Sequence, residues 1–160
     1  GGETTHGSIG NLLYAVLSDP SLWQILCEDP SLADAASEES LRWETPIAVL
    51  PRLSGETDQT FHGVEIPANS WVLFAMAAAN RDPRVFDQPD RFDLTRQKNE
   101  SLTFGRGVKA CPGTHLARKN MTVALQVLIE RMPSLHLIDH EAALPRQTVL
   151  RCPKALHVSV

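Results

Sequence analysis

The stretch Phe104-Gly105-Arg106-Gly107-Val108-Lys109-Ala110-Cys111-Pro112-Gly113 constrains this chain more than any other. Three glycines, a cysteine and a proline run into a segment, 112–131, whose apolar residues Leu116, Met121, Ala124, Leu125 and Leu128 recur at helical spacing. Pro112 suits the first helical position. A sulfur just ahead of it faces free N–H groups and the positive end of the helix dipole, and both favour a thiolate. Gly105, Gly107 and Gly113 let backbone N–H groups come close to that sulfur, with Phe104 and Ala110 as its shield. A thiolate held this way is a metal ligand or a nucleophile. No His-plus-acid pair stands beside it, although His115 lies on the next turn, so ligand is the better reading. Two other readings stay open on the loop alone. One is an inert cysteine in a glycine-rich turn. The other is dinucleotide binding at Gly105-x-Gly107-x-x-Ala110, which needs a strand before it and a helix opening at its end.

Composition narrows the classes. The chain has 160 residues, which suits one domain or a piece of a larger one. A compact chain of this size exposes roughly 8,000 Å². Hydrophobic residues make up 42% and charged residues 21%, which argues for a globular chain and against disorder. With 15 basic and 19 acidic residues, no basic excess points to nucleic acid. No run reaches the length of a membrane span and no signal peptide is visible, which points to a cytoplasmic protein. Cys27, Cys111 and Cys152 are odd in number, widely spread and free of any C-x-x-C pair. That argues against a disulfide framework and against a structural zinc site. Cys27 and Cys152 read as inert.

Periodicity predicts helices over 1–18, 20–28 and 30–43, the second and third opening on Asp19-Pro20 and Asp29-Pro30. Strand-like runs follow at 47–52, 61–66 and 71–75. Residues 80–103, rich in Asp, Arg, Pro and Asn, predict an irregular meander before the long helix. The tail offers three short strand-like runs, around Leu137, around Val149 and at 157–160. The expected fold class is mainly α with small β-sheets (α+β).

The helix over 30–43 carries an anomaly. Leu32, Ala35, Ala36 and Trp43 form its apolar stripe, and Glu39 falls on the same stripe. A carboxylate facing a core costs several kcal/mol unless it is paired and hydrogen-bonded. Arg42, three residues on, can reach it. Either the two make a surface ion pair, or they are buried and need a further partner elsewhere.

Taken together, these residues resemble the cytochrome P450 haem-thiolate monooxygenases. Residues 104–113 match the family's F-x-x-G-x-x-x-C-x-G signature, and Leu116-Ala117-Arg118 resembles its soluble bacterial members. Glu39-Ser40-Leu41-Arg42 matches E-x-x-R, and Pro89-Asp90-Arg91-Phe92 matches P-x-R-F of the meander. Gly1-Gly2-Glu3-Thr4-Thr5 matches the end of the distal-helix motif A-G-x-(D/E)-T-T. Four motifs in the family's order, over the whole chain, make the resemblance specific.

The resemblance implies haem b (iron protoporphyrin IX) as cofactor, with Cys111 as its metal ligand and Phe104, Gly105, Lys109, Gly113 and Arg52 around it. Arg52 is similar to a family arginine that pairs a haem propionate, and Lys109 stands where many bacterial members carry His. Glu3 and Thr4 would be the catalytic proton-delivering pair. Arg91 would complete the structural network of Glu39 and Arg42. Ile47, Ala48, Val49, Leu50, Val149 and Leu150 match pocket-lining positions and imply a small hydrophobic organic substrate. Arg106, Lys109, Arg118 and Lys119 would receive a ferredoxin-type redox partner. The family domain is longer than this chain, and none of the three Met residues stands at position 1. Residues 1–160 are therefore expected to be the C-terminal, haem-ligating part of a single domain whose N-terminal part is absent. The expected function is monooxygenation by the parent enzyme; the alternative is a truncated, catalytically inactive haem-binding fragment.

Overall fold

A computed structural model describes residues 2–97 and 100–160; Gly1 of the distal-helix motif lies outside the described residues. The described residues are helix-rich with three small sheets. Helix α1 (Glu3–Ser18) crosses the core, burying Leu12, Ala15, Val16 and Leu17. It stops because a residue preceding proline avoids helical geometry. Asp19 is extended (φ −122°, ψ 102°) and its carboxylate accepts from the Ser21 N–H, capping α2 (Pro20–Glu28). The hydroxyl of Ser21 and its N–H hold that carboxylate below the usual Asp range. Asp29-Pro30 repeats the device, but the first turn, Pro30–Leu32, is a 3₁₀ helix and α3 (Ala33–Trp43) begins after it. The single helix expected over 30–43 is thus two.

Strand β1 (Leu50–Leu53) pairs antiparallel with β4 (Trp71–Phe74). The run expected at 61–66 is not one strand. Phe61 ends β2 (Gln59–Phe61), Val64 starts β3 (Val64–Ile66), and His62 and Gly63 turn between them with φ of 49° and 80°. Two consecutive positive-φ residues make the hairpin turn that matches strand twist. A short α4 (Met76–Ala79) follows β4. The long helix α5 (Thr114–Arg131) starts two residues later than expected, because the Thr114 hydroxyl donates to the Cys111 carbonyl at 2.6 Å and closes a turn there. Leu116, expected among its apolar residues, is exposed; Met121, Leu125 and Ile129 face the core. In the tail, β5 (His136–Leu137) pairs with β6 (Val158–Ser159), with α6 (His140–Ala143) between them. Around Val149 there are two isolated bridges, Ile47 to Leu150 and Arg146 to Cys152, instead of a strand.

Helices α1, α3 and α5 pack on one another around Leu12, Val16, Leu41, Met121 and Leu125. Thr122 of α5 donates to Asp34 of α3 at 2.6 Å across that seam. Cys27 packs half-buried against the core, and burial pushes its thiol up.

Glu39 and Arg42 are both buried, at 2% and 0% exposure, which decides between the surface and core readings. Arg42 donates to both Glu39 carboxylate oxygens at 2.7 and 2.9 Å and to the carbonyls of Asn80, Pro89 and Arg91 at 3.0, 2.7 and 3.0 Å. Phe86 lies under the guanidinium, 5.3 Å from its centre. The further side chain is Arg96, whose Nε reaches Glu39 at 3.0 Å, and the Asp93 N–H donates there as well. Arg91, expected in that role, is exposed and gives the network its carbonyl only. The reason is register. The turn through Gln88 (φ 43°) presents the meander's backbone to Arg42, and the chain comes back to the carboxylate only at 93–96.

Breaking a buried pair by removing one partner leaves an uncompensated charge, at about 3–5 kcal/mol. Arg42→Ala is therefore expected to lose about 3–5 kcal/mol in denaturant melts. Arg91→Ala, which keeps the carbonyl, is expected to stay within about 0.5 kcal/mol of the parent.

Candidate functional site

Between the start of α1 and the start of α5 lies a cavity of about 500 Å³. Its volume is within the range of cofactor pockets. One wall carries Thr4, Thr5 and Ser8 of α1; the other carries Cys111, Pro112, Gly113 and Ala117. Ile47, Leu50 and Met76 make its apolar sides, and Arg52 and Lys109 stand at its border. Ser8 closes one turn of its wall by donating to the Thr4 carbonyl at 2.8 Å.

The loop that carries Cys111 is built from its glycines. Gly105 and Gly107 have φ of 67° and 72°, a region L side chains rarely adopt. The Gly105 N–H donates to Leu102, a 3₁₀ turn covers Gly107–Lys109, and the Cys111 N–H returns to the Phe104 carbonyl at 2.8 Å. The loop is thus a closed hairpin that ends on the sulfur. Cys111 is exposed on the cavity, and a Cβ on Gly113 would stand 3.7 Å from its Sγ. Phe104 is half-buried, with the Arg118 guanidinium 5.0 Å from its ring centre.

The structure divides several residues that the sequence grouped. Glu3 does not line this cavity. It faces a smaller one, about 180 Å³, with His6, Leu150, Arg151 and Cys152. Successive helical residues are 100° apart, so Glu3 and Thr4 point to neighbouring faces of α1. Of the six pocket-lining candidates, Ile47 and Leu50 line the main cavity. Ala48 is buried and faces another cleft beside Trp43 and Arg81, Leu150 faces the small cavity, and Val149 is exposed on the tail. Val49 is half-buried and lines none of these cavities. The backbone at 48–49 is neither strand nor bridge, so simple alternation fails there. Among the four basic residues, Arg118 is committed to Glu38, which it bonds through both Nε and Nη2. Arg106, Lys109 and Lys119 are exposed.

The dinucleotide reading of 105–110 loses its context. The strand pairs among the described residues are all antiparallel, and a 3₁₀ turn stands where the fingerprint needs its helix. Thr5, Ser8 and Met76 were missed as lining residues; Thr5 and Ser8 follow from helical spacing once Thr4 is placed.

The family described as Cytochrome P450 matches residues 28–155. This chain belongs to the cytochrome P450 family. It is 40% identical over 159 residues to cytochrome P450 CYP107DY1 of Priestia megaterium, covering 99% of this chain and 38% of that protein. It is 42% identical over 141 residues to a biotin biosynthesis cytochrome P450 of Bacillus subtilis, covering 88% of this chain and 35% of that one. Among solved structures it is similar to P450BioI in complex with a hexadec-9Z-enoic acid ligated acyl carrier protein. That match has a TM-score of 0.92 and 38% identity, over 98% of this chain and 41% of the other. The chain thus spans less than half the length of these P450 relatives. No helix among the described residues is long and apolar enough to cross a membrane.

P450 membership implies haem. The residues of the main cavity fit such a group: a thiol in the floor, apolar side walls, and two cations at the border suited to carboxylates. Placing a side chain on Gly105 or Gly107 forces a left-handed backbone on an L residue, at about 1–2 kcal/mol. Gly105→Ala and Gly107→Ala are each expected to lower stability by about that amount in chemical denaturation.

Proposed function

We propose that this chain is the C-terminal, haem-ligating part of a P450 monooxygenase, with Cys111 as the thiolate ligand of haem b iron. The observation that supports it is the single cavity that gathers the Cys111 sulfur, the hydroxyl-bearing face of α1 and the Arg52 and Lys109 cations around an apolar space. Haem, when bound, supplies dioxygen activation for insertion of one oxygen atom into an organic substrate, with the thiolate favouring O–O cleavage.

The chain's own side chains do the rest. Arg52 would hold a propionate through its planar fork, and Lys109 would add a point charge on a flexible stem. Phe104, Gly105 and Gly113 hold the sulfur's surroundings without crowding it. The Thr4 hydroxyl hands protons into the cavity. Glu3, on the adjoining face over the small cavity, feeds Thr4 from the solvent side instead of meeting the reacting face itself. Ile47 and Leu50 favour an apolar substrate, a class compatible with the fatty acyl group carried in the P450BioI complex. Arg106, Lys109 and Lys119 form the docking surface for an acidic, ferredoxin-type electron donor. The cell compartment is read as cytoplasmic.

The test is optical. The reduced chain, loaded with haem and exposed to carbon monoxide, is expected to show the red-shifted band of thiolate ligation, and Cys111→Ala to lose it. Arg52→Ala is expected to keep the band and to weaken haem binding about tenfold, the scale of one charge-assisted hydrogen bond. Haem uptake without that band would refute Cys111 as ligand. Turnover with a supplied electron donor then separates an active enzyme from an inactive haem-binding fragment.

A further inference from the structure

Asn80 sits at the end of α4, 0% exposed, and bonds through every polar atom of its side chain and through its carbonyl. Its carbonyl accepts from Arg42 at 3.0 Å. Its Oδ1 accepts from the Leu102 N–H at 2.7 Å, and its Nδ2 donates to the Thr103 hydroxyl at 3.0 Å. That hydroxyl donates onward to the Leu41 carbonyl of α3 at 2.6 Å. Leu102 and Thr103 are the last residues before the cysteine loop. The next residue, Phe104, supplies the carbonyl that accepts the Cys111 N–H, and Leu102 supplies the one that accepts the Gly105 N–H.

We infer that Asn80 and Thr103 are positioning residues for Cys111: they join the buried Glu39–Arg42 anchor to the strand of backbone from which the cysteine loop hangs. The inference rests on the reading of Cys111 as haem ligand for its functional meaning, and on the hydrogen bonds alone for its mechanics. The chemistry of the pair suits the task. An amide can donate and accept at once, and a hydroxyl can do the same, so the two side chains bond each other and still satisfy one backbone N–H and one backbone carbonyl, with no charge. Within a buried network each bond restricts its neighbours, and a missing member leaves polar groups unpaired. Covalent continuity through Phe104 carries that restriction to the sulfur's own N–H.

The test uses amide hydrogen exchange in the chain without haem. Thr103→Val removes the hydroxyl and keeps the shape; Thr103→Ser restores the hydroxyl. Thr103→Val is expected to speed exchange at Cys111 and Gly105 about tenfold, the scale of one buried hydrogen bond, with Leu125 and Ile129 of α5 unchanged. Asn80→Ala is expected to give the same pattern, and Thr103→Ser to return Cys111 to the parent rate. Uniform acceleration across loop and α5 in both Thr103→Val and Asn80→Ala would reduce the pair to general stability and overturn the inference, as would a Thr103→Ser chain that exchanges like Thr103→Val. In the haem-loaded chain, Thr103→Val is expected to lose part of the thiolate band and Thr103→Ser to recover it. Absence of that band in the parent would sink the proposed function, while the exchange pattern would still decide the positioning role.

Discussion

A fully buried guanidinium organises this structure. Burying a charge of this size costs several kcal/mol after relaxation, and only complete pairing makes it tolerable. Arg42 has five N–H donors, and all five are used: two on one carboxylate and three on carbonyls from the end of α4 and the meander. Among its described residues the meander has no regular secondary structure of its own, so its backbone carbonyls need partners from outside. Arg42 supplies them. A hydrophobic residue of the same volume could fill the space but could not dictate where Asn80, Pro89 and Arg91 lie. The network therefore defines a single path for the chain between the small sheets and the cysteine loop.

Helix α1 works by geometry instead of charge. It runs through the core, so its first turn necessarily divides the space on either side. Thr4, Thr5 and Ser8 fall on the face toward Cys111, and Glu3, His6 and Gly7 on the face toward the tail. The approach of α1 to the tail is close at a glycine: a Cβ on Gly7 would stand 3.3 Å from the Cys152 Cβ, so the tail would have to give by a few tenths of an ångström. An acid and a hydroxyl adjacent in sequence thereby face two different cavities.

Features governed by local rules were legible in the sequence. Asp19-Pro20 and Asp29-Pro30 each stop one helix and cap the next turn with their own carboxylates, so α2 starts where the sequence puts it, while after Asp29 a 3₁₀ turn comes first and α3 begins only at Ala33. Glu39 on an apolar stripe raised burial with partners as one of two readings, because the periodicity and the desolvation cost are both local facts, and its burial in the fold decides between them. The cysteine loop was legible for the same reason: its glycines, its cysteine and the following helix are contiguous. Identity of the far partner was not. Arg91 and Arg96 both lie in an irregular segment, and which one reaches Glu39 depends on how the turn at Gln88 is folded. The short helices α4 and α6 are too brief to show periodicity. The pocket candidates at 47–50 failed in part because an irregular pair of residues resets which side chains face inward. Asn80 and Thr103 carry no sequence signal at all; only the fold brings them together.

Two buried asparagines show how the two walls of the main cavity acquire a common reference. Asn11 of α1 donates to the Glu44 carbonyl at the end of α3 and to Arg151 of the tail, at 2.8 and 2.9 Å. Asn80 accepts from Arg42 of α3 and holds the segment ahead of Cys111. Each asparagine reads the position of α3 within three residues of the other, one at Arg42 and one at Glu44. The wall of hydroxyls and the wall with the sulfur are thus both measured from the same turn of one helix. A change in the width of the cavity requires a movement of α1 or of the cysteine loop against that turn, and either would break hydrogen bonds of a buried asparagine. The E-x-x-R helix touches the cavity itself only through Leu41, yet it determines the distance across it.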